Sequence, residues 1–385
     1  MLRPTSIFTI LTLLSTALAA RPFLNEPDTD IENDAVQTPD GSLIDLARIQ
    51  SLPDMEFAAR KYLNPLAYAR FRSAAAGEYT YRTNLESFQT LRFRPRMMVD
   101  IRDLGNTLTT TILGYNFSLP VFISPCANAA LINPEVAERG LIEGAFASNI
   151  LYIPSLVTSL PARDLAAFKP KNATQIIFQQ SYAYGNATAN RRLFSGFEAL
   201  GVNAIVLTVD AVAGRTSYRA FRQIPDLNVT LIRADDEFVP VTWTDLPALQ
   251  NLTSLPIILK GIQSVEDVLL AIEYKVPAVI LSNHGGRQLD GAPTPLEIAM
   301  EIRRTAPWAF DKIEILADGG VRYGSDVLKL LALGVKAVGL GRSFMFANMW
   351  GTNGVVKATQ MLRKEIVDAA GNMGLKSLSD INENF

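Results

Sequence analysis

The sequence holds one histidine, His284, inside the run Ser282-Asn283-His284-Gly285-Gly286-Arg287-Gln288. An imidazole there could serve as a general base, since its ordinary pKa lies near neutrality. The flanking glycines clear space beside it. Arg287 offers a planar fork for a substrate carboxylate and, as a neighbouring cation, favours the neutral imidazole that a base requires. Asp210 closes a different apolar run and could stabilise the imidazolium once a proton arrives. Its alternative role is a structural ion pair with Lys260 across the fold. A solitary histidine excludes bis-histidine haem, two-histidine metal sites and HExxH peptidases. Cys126 is the only cysteine, so there is no internal disulfide framework and no thiolate-held zinc or iron–sulfur cluster. No metal is expected. A formal net charge of −2 lacks the basic excess that a nucleic-acid partner would need.

These residues need elements to position them. In 385 residues, 48% of them hydrophobic, there is material for two small domains or one α/β barrel. Eight short apolar runs occupy 119–125, 150–155, 175–181, 204–210, 256–262, 278–285, 313–320 and 337–343. Continuous rather than alternating apolar runs suit strands buried on both faces. Most gaps hold a helix-like stretch, as at 134–148, 264–274 and 324–333. The pattern predicts a (β/α)8 TIM barrel, with its chemistry at the carboxyl ends of the strands. An open doubly wound sheet is the competing fold, but no GxGxxG follows the first strand. A helical segment over 43–81 precedes the barrel, and the closing helices run over 345–375. The gap from 211 to 255, with Pro225 and the acidic Asp235-Asp236-Glu237, reads as a lid inserted after strand four.

The strand ends carry the polar residues: Ser124 and Cys126, Ser155, Gln179, Gln180 and Tyr182, Thr208 and Asp210, Lys260, then Ser282 to Arg287. Strands seven and eight end in Asp318-Gly319-Gly320-Val321-Arg322 and Gly341-Arg342. Glycine turns feeding helix N-termini after those two strands are where barrels commonly hold a phosphate.

The N-terminus bears a positive start, the apolar run 7–20 and the tripeptide Ala17-Leu18-Ala19, the marks of a secretory signal peptide over 1–20. A membrane anchor is the competing reading, though the run is short for a span and Pro22 follows it. Residues 21–42, rich in Pro, Asp, Asn and Glu, read as a disordered leader, and 43–385 as the catalytic domain. Sequons at Asn116, Asn172, Asn186, Asn228 and Asn251 fit a secreted or secretory-pathway glycoprotein, with some of the five expected to be buried.

The heptapeptide around His284 resembles the active-site signature of the FMN-dependent 2-hydroxy-acid oxidases and dehydrogenases, the glycolate oxidase, lactate oxidase and flavocytochrome b2 group. The similarity runs from about residue 43 to the C-terminus. It includes Phe93-Arg94-Pro95-Arg96, Leu207-Thr208-Val209-Asp210, Pro256-Ile257-Ile258-Leu259-Lys260-Gly261, Asp318-Gly319-Gly320-Val321-Arg322 and Gly341-Arg342. The resemblance implies FMN as cofactor and oxidation of a 2-hydroxy acid to the 2-oxo acid. His284 would take a proton from the substrate, as a hydride leaves Cα for flavin N5 or as a Cα carbanion forms. Asp210 would pair with protonated His284, and Arg287 would hold the substrate carboxylate. Lys260 would stand beside flavin N1 and O2. Ser124, Ser155, Gln180, Thr208 and Ser282 would line the isoalloxazine and ribityl chain. Asp318, Gly319, Gly320, Arg322, Gly341 and Arg342 would hold the phosphate. Tyr182 would face the substrate if Gln180-Ser181-Tyr182 is the register, Gln179 being the competing choice by one residue.

Three departures stand out. Arg70-Phe71, with Tyr68 upstream, occupies a slot where the family has a pair of aromatics including a substrate-binding tyrosine. Gly214-Arg215-Thr216 is one residue short of the family's Gly-x-Arg-Arg turn, leaving Arg215 as the stand-in for a second carboxylate-binding arginine. The lid is also shorter, and Pro154 stands at a position often held by serine. The flavin site is therefore expected to be intact and the substrate site altered. Oxygen or an external acceptor would reoxidise the flavin. No fused cytochrome domain or membrane span is expected, and the family's habit points to a homotetramer. The alternatives are an FMN-dependent barrel enzyme of altered chemistry, such as an isomerase or specialised biosynthetic oxidase, and a non-catalytic flavin-binding protein.

Overall fold

A computed structural model describes residues 41–170, 174–223 and 238–385. The signal peptide, most of the leader, the middle of the lid insertion, and the sequons Asn172 and Asn228 lie outside the described residues. A hairpin of β1 (Thr110–Ile112) and β2 (Tyr115–Phe117) leads into β3 (Val121–Ile123) and β4 (Leu151–Tyr152). Then come β5 (Phe178–Ser181), β6 (Ala204–Thr208), β7 (Ile257–Ile262), β8 (Ala278–Leu281), β9 (Glu314–Asp318) and β10 (Ala337–Leu340). Strands β3 to β10 form one parallel sheet in the order β4-β3-β10-β9-β8-β7-β6-β5. A parallel bridge between Tyr152 and Ile177 joins the two ends, and the Gln180 N–H donates to the Pro154 carbonyl at 3.0 Å. That closes the eight-stranded barrel predicted from the apolar runs.

Helices α1 (Leu52–Tyr62), α2 (Pro65–Arg72) and α3 (Tyr79–Thr90) precede the barrel. Each of the first two opens on a local signal. Ser51 and Asp54 form a reciprocal cap on α1, and the Asn64 side chain accepts from Ala67 N–H ahead of Pro65 in α2. Helices α4 (Glu138–Ser148), α5 (Ala162–Ala167) and α6 (Ala187–Ala199) follow β3, β4 and β5 in turn. The short α7 (Tyr218–Phe221) and α8 (Leu246–Gln250) flank the insertion after β6. Then α9 (Val265–Glu273), α10 (Pro295–Thr305) and α11 (Gly324–Ala332) follow β7, β8 and β9, and α12 (Arg342–Ala347) with α13 (Gly351–Met373) end the barrel. No helix among the described residues is long and apolar enough to cross a membrane.

The helical segment differs from expectation at its end, because α3 runs on to Thr90 rather than stopping near Tyr81. Helix α8 begins at Leu246, with Pro247 in its first turn. The hairpin β1–β2 was not expected at all. Its three-residue strands make no run long enough to show in the sequence.

The core has two compartments. One lies between the sheet and its helices. The other fills the barrel, where Phe122, Leu151, Ile153, Phe178, Val206, Ile258, Ile280 and Leu316 are all fully buried. Ile112 and Phe117 of the hairpin join this inner cluster and close the amino-terminal end of the barrel. The sequons at Asn116, Asn186 and Asn251 are all exposed. Asn186 sits at the start of α6 with its side-chain Oδ1 accepting from Ala189 N–H at 2.9 Å, and Asn116 lies on β2.

One fully buried carboxylate fastens two strand-end loops. Glu138, first residue of α4, accepts from the N–H groups of Ala129 (3.1 Å), Ser159 (2.7 Å) and Leu160 (3.1 Å). Glu138→Ala leaves those donors unanswered, at a cost of about 3 kcal/mol. We expect the melting temperature to fall by about 4 °C, measured by calorimetry with cofactor content as a control.

Candidate active site

The pleat of the strands builds the site. Side chains alternate between the two faces of a strand, so the residue two beyond an interior one is interior too. Two residues on from the apolar plug, Phe122 gives Ser124, Ile153 gives Ser155 and Phe178 gives Gln180. By the same step Val206 gives Thr208, Ile258 gives Lys260, Ile280 gives Ser282 and Leu316 gives Asp318. All seven of these polar residues are buried. They form a continuous polar layer on the apolar plug. One more step of two gives Cys126, Tyr182, Asp210 and His284 at the rim.

This alternation decides the register at β5. Gln180 extends the interior series from Phe178, and its amide links neighbouring strands: Nε2 donates to Thr208 Oγ1 at 3.0 Å, and Oε1 accepts from Ser155 Oγ at 3.3 Å. Gln179 instead donates to the backbone carbonyls of Pro154 and Gln180.

In the polar layer, Lys260 Nζ donates to Ser282 Oγ at 2.7 Å and lies 3.1 Å from Asp318 Oδ2. Ser282 Oγ donates to Asp318 Oδ1 at 2.6 Å, and Ser124 Oγ to Oδ2 at 2.9 Å. Burial works against the ammonium. The charges of Asp318 and Asp210, with the hydrogen bond to Asp318, outweigh it and raise Lys260 above the usual lysine value. Lys260 therefore pairs with Asp318, and the ion pair considered between Lys260 and Asp210 is not the one formed.

Asp210 pairs with His284 instead, Oδ1 to Nδ1 at 2.8 Å, with the carboxylate side chain fully buried and the imidazole one-quarter exposed. Burial would push the Asp210 carboxyl up, but the His284 charge and hydrogen bond, then Lys260, hold it below the usual carboxylate range. A carboxylate at Nδ1 selects the tautomer with its proton there, which frees Nε2 to accept one.

The approach depends on a glycine. Gly261 sits at an irregularity in β7 with φ +104°, and a Cβ on it would lie 2.5 Å from Asp210 Cβ and Cγ. His284 itself has φ +58°, a left-handed conformation uncommon for a side chain of its size. Its N–H donates to Ser282 Oγ at 3.0 Å. Gly286 follows with φ +74°, where a Cβ would meet Tyr81 N at 2.7 Å. Asn283 holds the turn, accepting from Gly286 N–H at 3.0 Å and exchanging two side-chain hydrogen bonds with Asn84 of α3.

The arginines divide into two sets. Arg287 donates to the carbonyls of Phe71 (2.9 Å) and Arg70 (2.7 Å), and Arg215 Nη1 donates to the Arg287 carbonyl at 3.4 Å. Burial, then the repulsion of Arg215 and Arg342, depresses the Arg287 guanidinium well below its usual value. Tyr182 packs on Phe238 with ring centroids 5.4 Å apart, and burial followed by the Asp210 charge raises its hydroxyl.

The residues read as a phosphate cradle lie around Tyr81. Arg322 Nη2 donates to Glu56 Oε2 at 3.1 Å and to the Tyr81 hydroxyl at 3.4 Å. Arg342 donates to the carbonyls of Phe71, Ser73 and Gly285, with its guanidinium 4.7 Å from the Tyr81 ring centre. Gly319 and Gly320 both have positive φ and lead toward α11, while Gly341 stands directly before α12.

Sequence reasoning missed Glu56, Arg72, Glu78, Tyr81 and Asn84. All come from the helical segment before the barrel, where no motif marks them. Arg72 links Glu56 and Glu78 at 3.6 and 3.5 Å, and Arg219 meets Glu78 at 2.7 Å.

A flavin presents acceptor atoms on a flat ring together with an anionic phosphate. The buried layer suits that chemistry. Lys260 has three N–H donors, of which Ser282 and Asp318 engage two, and guanidinium and backbone N–H donors lie around the glycine turns. The donor set fits the group.

A closed parallel barrel with an imidazole–carboxylate pair above a buried cation, all at the carboxyl ends of its strands, defines a (β/α)8 barrel with a candidate active site at its carboxyl-terminal mouth. Residues 59–385 match the family of FMN-dependent dehydrogenases, and the chain belongs to that family. It is 34% identical over 359 residues to the L-lactate dehydrogenase (cytochrome) of Saccharomyces cerevisiae, covering 87% of this chain and 60% of that protein. It is 32% identical over 348 residues to 2-hydroxyacid oxidase 2 of Mus musculus, covering 86% and 96%. The structure is similar to the recombinant flavin-binding domain of baker's yeast flavocytochrome b2, with TM-score 0.83, 34% identity, and 92% and 90% of the two chains covered. The chain thus spans about three-fifths of the yeast dehydrogenase that it matches.

The Glu56 cluster gives the site a pH limit. Burial opposes the Glu56 charge, but Arg322, Arg72 and Arg342 outweigh it and hold the carboxyl below the usual carboxylate range. A depressed carboxyl contributes stability that is complete above its unfolded-state pKa and is lost as pH falls through the folded-state value. Melting temperature measured from pH 7 down to pH 3 is expected to fall less steeply for Glu56→Gln than for the parent, from a lower starting value.

Proposed function

We propose that the protein oxidises a 2-hydroxy acid to the 2-oxo acid with FMN, electrons passing on to oxygen or to another external acceptor. The observation that carries this reading is the 2.8 Å pair of Asp210 and His284 above the buried Lys260. Gln180, Thr208, Ser282, Ser124 and Ser155 would line the flat ring and its chain, and Lys260 would offer positive charge where negative charge develops. The phosphate would lie at Gly319, Gly320 and Gly341 with Arg322 and Arg342. The cofactor, when bound, supplies the acceptor for the electron pair that leaves Cα.

The chain's own residues do the rest. Arg287 orients the substrate carboxylate as a fork. His284 Nε2 takes a proton from the substrate. Asp210 holds the imidazole by Nδ1–H and stabilises the imidazolium that forms. Tyr182 and Arg215 complete the substrate side. The family membership and the named activities of the yeast and mouse relatives support this reading.

The test is anaerobic mixing of the FMN-loaded protein with a panel of 2-hydroxy acids, followed by the loss of flavin absorption. His284→Gln is expected to keep its cofactor and to slow that bleaching by about 10²–10⁴-fold. No bleaching by any acid would sink the oxidation reading and favour a barrel enzyme of altered chemistry.

The signal-like start and the exposed Asn116, Asn186 and Asn251 support a secreted glycoprotein. The exposed apolar Met97, Met98, Val99 and Ile101 are consistent with a self-association surface and so with a homotetramer. Expression in a secretory eukaryotic host should give protein in the medium that shifts to lower mass on N-glycosidase treatment. Retention inside the cell without a shift would count against secretion.

A further inference from the structure

A groove of about 640 Å³ runs along α6 from Asn186 to Leu200, bounded by Ala162 at the start of α5. It shares no residue with the polar layer or the rim of the barrel. At 1.5 Å per residue its helical wall is roughly 20 Å long. Leu193 and Phe197 give it apolar surface, and Tyr184, Thr188 and Arg192 add polar groups. The head of the groove is held in place. Tyr184 exchanges hydrogen bonds with the buried Asn190 side chain at 2.7 and 2.9 Å, and its ring centre stands 4.7 Å from that of Phe238.

The floor of the groove is kept open by Gly196. Glycine inside a helix costs stability relative to alanine, and its usual reason there is close packing or an unusual backbone. Gly196 has neither: it lies within α6 without a positive φ, and a Cβ on it would meet nothing within 4 Å. What the missing side chain provides is room. The occupant is indicated by the residues at the head, because Asn186 and Thr188 both line the groove and are the first and third residues of a sequon. Asn186 caps α6 through Oδ1, 2.9 Å from Ala189 N, and its Nδ2 has no hydrogen bond among the described residues. A sugar on Nδ2 therefore leaves the cap in place. Asn116 on β2 and Asn251 just past α8 line no part of this groove.

We infer that Asn186 carries an N-linked oligosaccharide whose first sugars lie along α6 in this groove. Their apolar faces rest on Leu193 and Phe197, and their hydroxyls meet Tyr184 and Arg192. The inference rests on the proposed passage of the chain through the secretory pathway. The transfer joins the anomeric carbon of the sugar to Asn186 Nδ2 and releases one amide proton. It breaks the bond from that carbon to the pyrophosphate of a lipid-linked oligosaccharide donor. Once attached, the sugar is held at high effective concentration beside the groove, so weak contacts suffice to seat it.

The test uses the full chain made in a secretory eukaryotic host. Release by N-glycosidase is followed site by site with peptide mass spectrometry, on native and on denatured protein. Relative to the denatured protein, native release at Asn186 should be slowed roughly 10-fold more than at Asn116 or Asn251. Gly196→Leu fills the groove where space is free and raises helix propensity, so the fold is expected to hold. It should erase the protection at Asn186 and leave the oligomeric mass unchanged. Equal slowing at all sites, or protection that survives Gly196→Leu, overturns the inference. So does a bare Asn186 on a chain that carries sugar at Asn116 or Asn251, a result that leaves the glycoprotein reading standing. Sugar at none of the sequons overturns both. A change of oligomeric mass on Gly196→Leu without a change in release gives the groove to a second copy of the chain instead.

Discussion

Everything at the mouth of this barrel depends on the two-residue alternation of its strands. The plug from Phe122 to Leu316 is apolar and fully buried, and the next inward position on seven of the eight strands is polar. A closed sheet leaves those side chains no other direction. They can be buried only because they satisfy one another. Asp318 accepts from Ser282, Ser124 and Lys260, and Gln180 joins Thr208 to Ser155. A buried ammonium without Asp318 would be very costly, so the layer stands or fails as a unit.

The rim above that layer is arranged by backbone rather than by side-chain packing. Asp210 reaches His284 because β7 is irregular at a glycine, and His284 takes a left-handed conformation between Ser282 and two further glycines. The Asn283–Asn84 pair then locks this turn to α3. The segment before the barrel is therefore a wall of the site. It supplies Glu56, Arg70, Arg72, Glu78 and Tyr81, and the carbonyls of Arg70, Phe71 and Ser73 receive Arg287 and Arg342.

Much of this was legible beforehand. Each of the eight apolar runs contains one strand of the barrel, because a strand covered on both faces must be apolar throughout. Polar or glycine residues at the end of most runs marked the carboxyl end, so His284, Asp210, Lys260 and Ser282 were visible as candidates. The hairpin β1–β2 escaped because three-residue strands carry no period. Glu56, Tyr81 and Asn84 escaped because on their helices they are ordinary residues. Their importance comes from what they touch hundreds of positions away.

The sequence by itself determined the barrel, the end of it that bears the chemistry, and the solitary imidazole, since apolar runs and residue types are local properties. The tertiary structure alone decided which partners meet. It paired Asp210 with His284 and Lys260 with Asp318, turned Gln180 rather than Gln179 to the inner face, and gave Glu56 and Glu78 to Arg72, Arg219 and Arg322. The physical reason is that burial and charge pairing are set by which strands and helices become neighbours, and closing the sheet makes neighbours of residues far apart in the chain.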